Sequence, residues 1–210
     1  MNELIKNNQV VLAGAISKKA EFSHEVYGEG FYTIPIKVLR NSGYKDEIPV
    51  TISERMCKIE ELCTGRQIKV CGQFRSFNQH EGARAKLVLS VFATEIEFLD
   101  EMPEDNIKSN QIFLDGYICK EPIYRKTPLG REIADLLIAV NRSYGKSDYI
   151  PCICWGRNAR FASSFDVGGH VQVWGRIQSR EYVKKISETE MEQRTAYEVS
   201  INNINLVEDM

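Results

Sequence analysis

The sequence predicts an all-β protein of two tandem five-stranded Greek-key barrels, each with a short helix between its third and fourth strands. Three observations carry that expectation. First, landmarks recur in the same order: Asn8 to Gly14 returns as Asn110 to Gly116 and Ile48-Pro49-Val50 as Ile150-Pro151-Cys152, both 102 positions later. Gln67 to Gly72 returns as His170 to Gly175 at an offset of 103, and Ala93 to Leu99 as Ile201 to Val207 at 108. Second, short apolar runs separated by polar turns fill both copies, which is strand patterning. Third, glycines recur where a strand must coil or bend: Gly14 and Gly116 in the first strand, Gly72 and Gly175 inside the fourth.

The elements follow in order. The first strand is Val10 to Ile16 in one copy and Ile112 to Ile118 in the other, each leading into a polar loop. Phe31 to Leu39 and Ile133 to Val140 form the second, and Ile48 to Ile52 and Tyr149 to Trp155 the third. Helices are expected at Glu54 to Leu62 and at Arg157 to Phe165, the latter stopped by Gly168-Gly169. A long fourth strand (Gln67 to Phe77; His170 to Tyr182), a polar hairpin and a fifth strand (Ala85 to Phe98; Thr195 to Val207) complete each copy. Glu101 to Ser109, with Pro103 and four charges, reads as the linker, giving domains 1–104 and 105–210. The jump in offset before the last landmark puts a longer connection in the second copy around Lys184 to Arg194. Three strands, a helix and two strands is the order of an OB-fold, whose one face binds oligonucleotides or oligosaccharides.

At 210 residues, two domains of ordinary size fit, each able to bury a core without staples. No apolar run approaches a membrane span and the first ten residues are too polar for a secretory leader, so a cytoplasmic location is expected. Cys57, Cys63, Cys71, Cys119, Cys152 and Cys154 share no position between the copies, as a repeated disulfide would. They read as buried free thiols of a reducing compartment, and Cys152-Ile153-Cys154 is too closely spaced for a zinc knuckle. No metal, cofactor, nucleophile-base pair or phosphate loop is indicated, so no enzyme is expected. Residues 1–105 carry 13 basic and 16 acidic side chains and residues 106–210 carry 14 and 13. With a net charge of −2, bulk phosphate attraction alone does not supply nucleic-acid binding.

The third strand of the second copy is the most informative segment. Alternation puts Tyr149, Pro151, Ile153 and Trp155 on one face and Ile150, Cys152 and Cys154 on the other. The compact Cys/Ile face suits the barrel interior, which leaves the Tyr/Trp stripe outside, for a ligand or for packing against another subunit or the first copy. Tyr144, preceded by Arg142, and Tyr182, following Arg176 and Arg180 and preceding Lys184, extend the set; Arg157 follows Trp155. Rings interleaved with cations suit single strands, whose bases stack while phosphates meet Arg and Lys.

Five stretches carry a closer likeness: Asn110 to Gly116, Glu121 to Thr127, Ile138 to Tyr144, Asp148 to Ala159 and Val173 to Tyr182. Through them the second copy resembles the bacterial single-stranded DNA-binding protein family. The resemblance implies base stacking on Tyr144, Tyr149, Trp155 and Tyr182, with Arg125, Arg142, Arg157, Arg176, Arg180 and Lys184 beside the DNA. It also implies roles in replication, recombination or repair, near the nucleoid, and a homodimer presenting four OB-folds. The family's flexible acidic-tipped tail has no counterpart before Met210, so tail-mediated recruitment of replication and repair proteins is not carried over.

In the first copy the matching positions hold Glu47, Ser53 and roughly Gln79 in place of Tyr149, Trp155 and Tyr182. Tyr44, Phe77 and Phe31-Tyr32 lie near them in sequence, and Arg40, Arg75, Arg84 and Lys86 remain. This copy reads as a structural or weakly binding partner. Trp174, where the first copy has Cys71, faces away from the core side and suits either subunit packing or stacking. The main rival reading is a primosome-type or mobile-element adaptor that uses its barrels for protein contacts; RNA binding is a further one.

Overall fold

A computed structural model describes residues 6–81, 84–102, 109–185 and 191–207, with the side chains of residues 79–86 outside that description. The first copy holds β1 (Asn8–Ile16), β2 (Glu21–Val26), β3 (Glu29–Leu39), β4 (Lys45–Ser53), β5 (Gln67–Glu81) and β6 (Arg84–Leu99). The second holds β7 (Asn110–Ile118), β8 (Ile123–Lys126), β9 (Glu132–Asn141), β10 (Ser147–Trp155), β11 (His170–Lys185) and β12 (Met191–Leu206), with one α-helix, α1 (Arg157–Ala162).

Each copy closes as the expected barrel. The first strand pairs with the fourth (Val10 with Gly72; Val173 with Leu114) and touches the end of the strand after the edge hairpin. A short parallel contact closes the ring, Val50 with Val91 and Cys152 with Val199. Inward residues are branched or aromatic and fully buried: Leu12, Ile34, Ile48, Val70 and Phe74 in one barrel, Leu114, Ile138, Ile150, Val173 and Ile177 in the other. The coiling requires Gly72 and Gly175, which sit at matched β-bulges. A Cβ there would stand 2.2 Å from the carbonyl oxygens of Phe92 and Ser200, which only glycine avoids.

Three expectations need correction. Each copy has a sixth strand, β2 or β8, an exposed edge hairpin whose every residue faces solvent and which therefore lacks the apolar alternation that marks a strand. The helix expected at Glu54 to Leu62 is only a 3₁₀ turn at Ile59–Glu61. That stretch buries just Leu62 deeply, whereas α1 plants Ala159 and Ala162 against its barrel. The cysteines are free, but only Cys152 and Cys154 are buried; Cys63 is exposed and Cys57, Cys71 and Cys119 are intermediate. Burial pushes the Cys154 thiol up to about 12, so it is an inert space-filler. Most of the expected linker, residues 103–108, lies outside the described residues, as do residues 186–190 of the longer second-copy connection.

The two barrels are not beads on a string. β1 pairs antiparallel with β7, Val10 opposite Ile112, so all twelve strands form one continuous sheet in the order β2-β3-β4-β6-β5-β1-β7-β11-β12-β10-β9-β8. Asn8 and Asn110, which open the repeat, are buried at this seam. Each amide brackets one residue of its own barrel's fourth strand: Asn8 gives to Phe74 O (2.8 Å) and takes from Phe74 N (2.9 Å), and Asn110 does the same at Ile177. Pairing both the nitrogen and the oxygen is what lets a buried amide sit there at little cost.

Candidate nucleic-acid interface

The pairing registers set the surface of the second barrel. Across β10 and β9, Tyr149 stands opposite Ala139, Pro151 opposite Leu137 and Trp155 opposite Ile133, so these residues share the outward face. On β11 and β12 the same face holds Arg176, Gln178, Arg180 and Tyr182, opposite Ser200, Glu198, Ala196 and Arg194. Ile153 joins the face opposite Asp135 but is buried, so the stripe on β10 consists of two ring platforms with an apolar floor between them.

All four sequence-predicted rings reach solvent: Tyr144 is 96% exposed, Tyr149 47%, Trp155 39% and Tyr182 37%. The other faces of Ile150, Cys152 and Cys154 are core, as alternation required. Tyr144 tops the loop between β9 and β10 with φ of 64°, a left-handed conformation costly for an aromatic residue. Its exposure and strain together mark it as a presented side chain.

The predicted cations divide into two groups. Arg157, Arg180 and Lys184 are exposed, and the Arg180 guanidinium stands 5.9 Å from the Tyr182 ring. The remaining three are engaged in or drawn to the protein. Arg125 pairs with Asp135 (2.8 Å), on the face beside β10. Arg142 Nε stands 3.3 Å from Asp148, and Arg176 lines a cleft of about 610 Å³ between the copies with Trp174, Phe113, Arg40 and Asp46. Burial, then the nearby Arg40, lowers the Arg176 pKa, and its Nη1 is buried without a hydrogen-bond partner. Trp174, 37% exposed, tilts against Phe113 at 5.1 Å on the outward face of the central strands.

The first barrel differs at each matching position. Glu47 is engaged by Lys37 (3.6 Å) and Lys18 (3.8 Å), and the Ser53 hydroxyl donates to the Glu29 carboxylate. Phe31 is buried and stacked on His24, Tyr32 meets the exposed Phe22 edge-on at 5.6 Å, and Tyr44 lies under the Arg40 guanidinium at 4.5 Å. Phe77 is exposed, whereas the side chains of Gln79, Arg84 and Lys86 lie outside the described residues. Arg75 is stacked on Phe92 at 4.0 Å and hydrogen-bonded to Gln73, so it is held by its own barrel.

Sequence reasoning missed the locks between the barrels. Asp46, fully buried in the first copy, accepts from Arg40 in two hydrogen bonds (2.5 and 2.6 Å) and from the Ser179 amide and hydroxyl of the second (2.7 and 2.9 Å). Asp148 mirrors it, accepting from the Ser76 amide of the first copy (2.7 Å). Burial pushes the Asp46 pKa up, but Arg40 and Ser179 outweigh it and hold it below the ordinary value. At Asp148 burial wins over the Ser76 amide and Arg142, and the pKa is raised. The repeat contained the signal: Arg40/Asp46 and Arg142/Asp148 recur at an offset of 102, and Ser76/Ser179 at 103.

The match to a known protein family falls on the same half. The model of the Single-strand binding protein family matches residues 109–207. Single-stranded DNA-binding protein 2 of Listeria innocua is 36% identical over 80 residues, 35% of this chain and 50% of that protein. Single-stranded DNA-binding protein B of Bacillus subtilis is also 36% identical over 80 residues, covering 71% of its length. The chain thus spans about half the length of most of these curated relatives. The crystal structure of wild-type single-stranded DNA binding protein from Thermus aquaticus superposes over 97% of this chain and 94% of that one, with a TM-score of 0.74 and 21% identity. That likeness extends the fold over both copies.

Proposed function

The chain belongs to the single-strand binding protein family, and from that premise we propose that its second barrel binds single-stranded DNA with little regard to sequence. The family is one of non-enzymatic DNA-binding proteins. One observation carries the proposal: Tyr144, Tyr149, Trp155 and Tyr182 are all solvent-facing, with Arg157, Arg180 and Lys184 exposed near them in the chain. Bases stack on such rings whatever their identity, because every base has a π-face, and the cations meet the phosphates. Arg125 and Arg142, paired with carboxylates, and Arg176, drawn into the cleft, shape the protein side of the surface and add to its field. In the cell the protein holds displaced strands in replication, recombination or repair, in the cytoplasm at the nucleoid.

Titration with poly(dT), read by intrinsic fluorescence, tests the reading. Saturable quenching is expected as bases cover Trp155, with binding that weakens steeply with salt. An unchanged spectrum at micromolar polymer is the result that overturns it.

The same proposal includes a homodimer of four barrels. Val11, Phe113 and Trp174 give the outward face of the central strands an apolar patch open to a second copy. Sedimentation equilibrium is expected to give twice 24.0 kDa. Trp174→Glu is expected to return the mass to one chain; a wild-type protein that stays monomeric at tens of micromolar refutes the dimer.

A further inference from the structure

We propose that Ser76 of the first barrel is a positioning residue for Tyr149 of the second, so that the copy without the ring set builds part of the DNA surface. The inference rests on the second barrel being the DNA-binding one. Tyr149 lies near the start of β10, where β9 pairs along one edge but the other edge has no strand of its own barrel beside it: β12 reaches β10 only at Cys152 and Ile153. The support arrives from the other copy. Ser76, in the second half of β5 and 6% exposed, accepts the Tyr149 N–H on its Oγ at 2.8 Å. The Ser76 hydroxyl points on to Asp148 Oδ1 at 3.4 Å, and the Ser76 N–H donates to that same oxygen at 2.7 Å.

Two consecutive residues of β10 are thus pinned from across the seam. Fixing the backbone of Asp148 and Tyr149 fixes the direction of the Tyr149 Cα–Cβ bond, and with it where the ring stands. Asp148 is fully buried, so its anchor does not drift with solvent. The groups facing it are Arg142 from its own hairpin and Arg75 and Ser76 from the first barrel.

The reciprocal contact does a different job. Ser179 of the second barrel gives both its amide and its hydroxyl to Asp46, and the next residue is Glu47, a carboxylate held by Lys18 and Lys37. Each barrel therefore braces the other, but only the brace running from first to second ends on a stacking ring. This gives the first barrel a role in the DNA surface although it lacks the aromatic residues at the matching positions.

The experiment uses the full chain and labelled oligo(dT), with affinity by anisotropy and stability by urea unfolding. Ser76→Ala is expected to weaken binding about fivefold, the size of one hydrogen bond, with an unchanged salt slope because no phosphate contact is lost. Ser179→Ala is expected to lower stability comparably and leave affinity within twofold. Ser76→Thr, which keeps the hydroxyl, is expected to restore binding. In a Tyr149→Ala background Ser76→Ala is expected to add nothing, whereas in a Trp155→Ala background its effect is expected in full. Equal losses from the two serines, or a Ser76→Ala effect that persists without the Tyr149 ring, overturn the inference and leave DNA binding standing. Wild-type protein that does not bind oligo(dT) overturns both.

Discussion

Tyr149→Ala/Trp155→Ala is expected to weaken poly(dT) binding at least about thirtyfold, since each stacked base contributes about 1–3 kcal/mol. Both rings stand on one face of β10, and removing them leaves the apolar floor at Ile153 and the cations of β11 in place. The loss is therefore expected in the salt-independent part of the affinity, with the salt slope retained. Anisotropy of a labelled oligonucleotide is the proper readout, because the variant has lost one of its two tryptophans. The matched control is Glu47→Ala/Ser53→Ala in the first barrel. Those side chains are occupied by Lys18, Lys37 and Glu29, and their removal is expected to change affinity less than twofold. Equal losses from the two pairs refute the division of labour between the barrels.

Asp46→Ala is the substitution expected to cost most in stability, about 3–5 kcal/mol at neutral pH by urea unfolding, the range for removing one partner of a buried ion pair. It takes the carboxylate away from Arg40 and leaves the Ser179 amide unpaired. The pH dependence follows from the direction of the shift. Because Asp46 is held below its ordinary value, its contribution is complete above the ordinary carboxyl range and is lost as pH falls through the depressed one. The gap between wild type and variant is expected to narrow below about pH 4. Asp148 has the opposite sign: its raised pKa makes ionisation in the folded state unfavourable as pH rises. Asp148→Asn is therefore expected to cost less at neutral pH than Asp46→Asn. A larger cost at Asp148 contradicts the account of the two locks.

Much of the barrel was legible in the sequence, for a definite reason. In β10, Ile150, Cys152 and Cys154 point in while Tyr149 and Trp155 point out, a period-two pattern that burial enforces wherever one face is core. Gly72 and Gly175 were readable because the close approach of Phe92 and Ser200 carbonyls admits nothing larger. β2 and β8 were not, since an edge hairpin with both faces in water leaves no hydrophobic period to read. The turn at Ile59–Glu61 reads as a helix in the sequence because local composition favours one, but it lacks a small-residue face like that of Ala159 and Ala162. Among the candidate site residues, exposure of the rings followed from strand phase. The capture of Arg125 by Asp135 and of Arg142 by Asp148 did not, because a charge alone does not name its partner.

The β1–β7 ladder has a consequence for how such a molecule can diverge. In an assembly of identical subunits every substitution is written into all copies at once, so no single barrel can trade its ligand groups for another task. Tethering makes the partner permanently present, at millimolar effective concentration and independent of dilution. Each half is then free to drift apart from its twin, and a heterodimer is inherited as a single gene product.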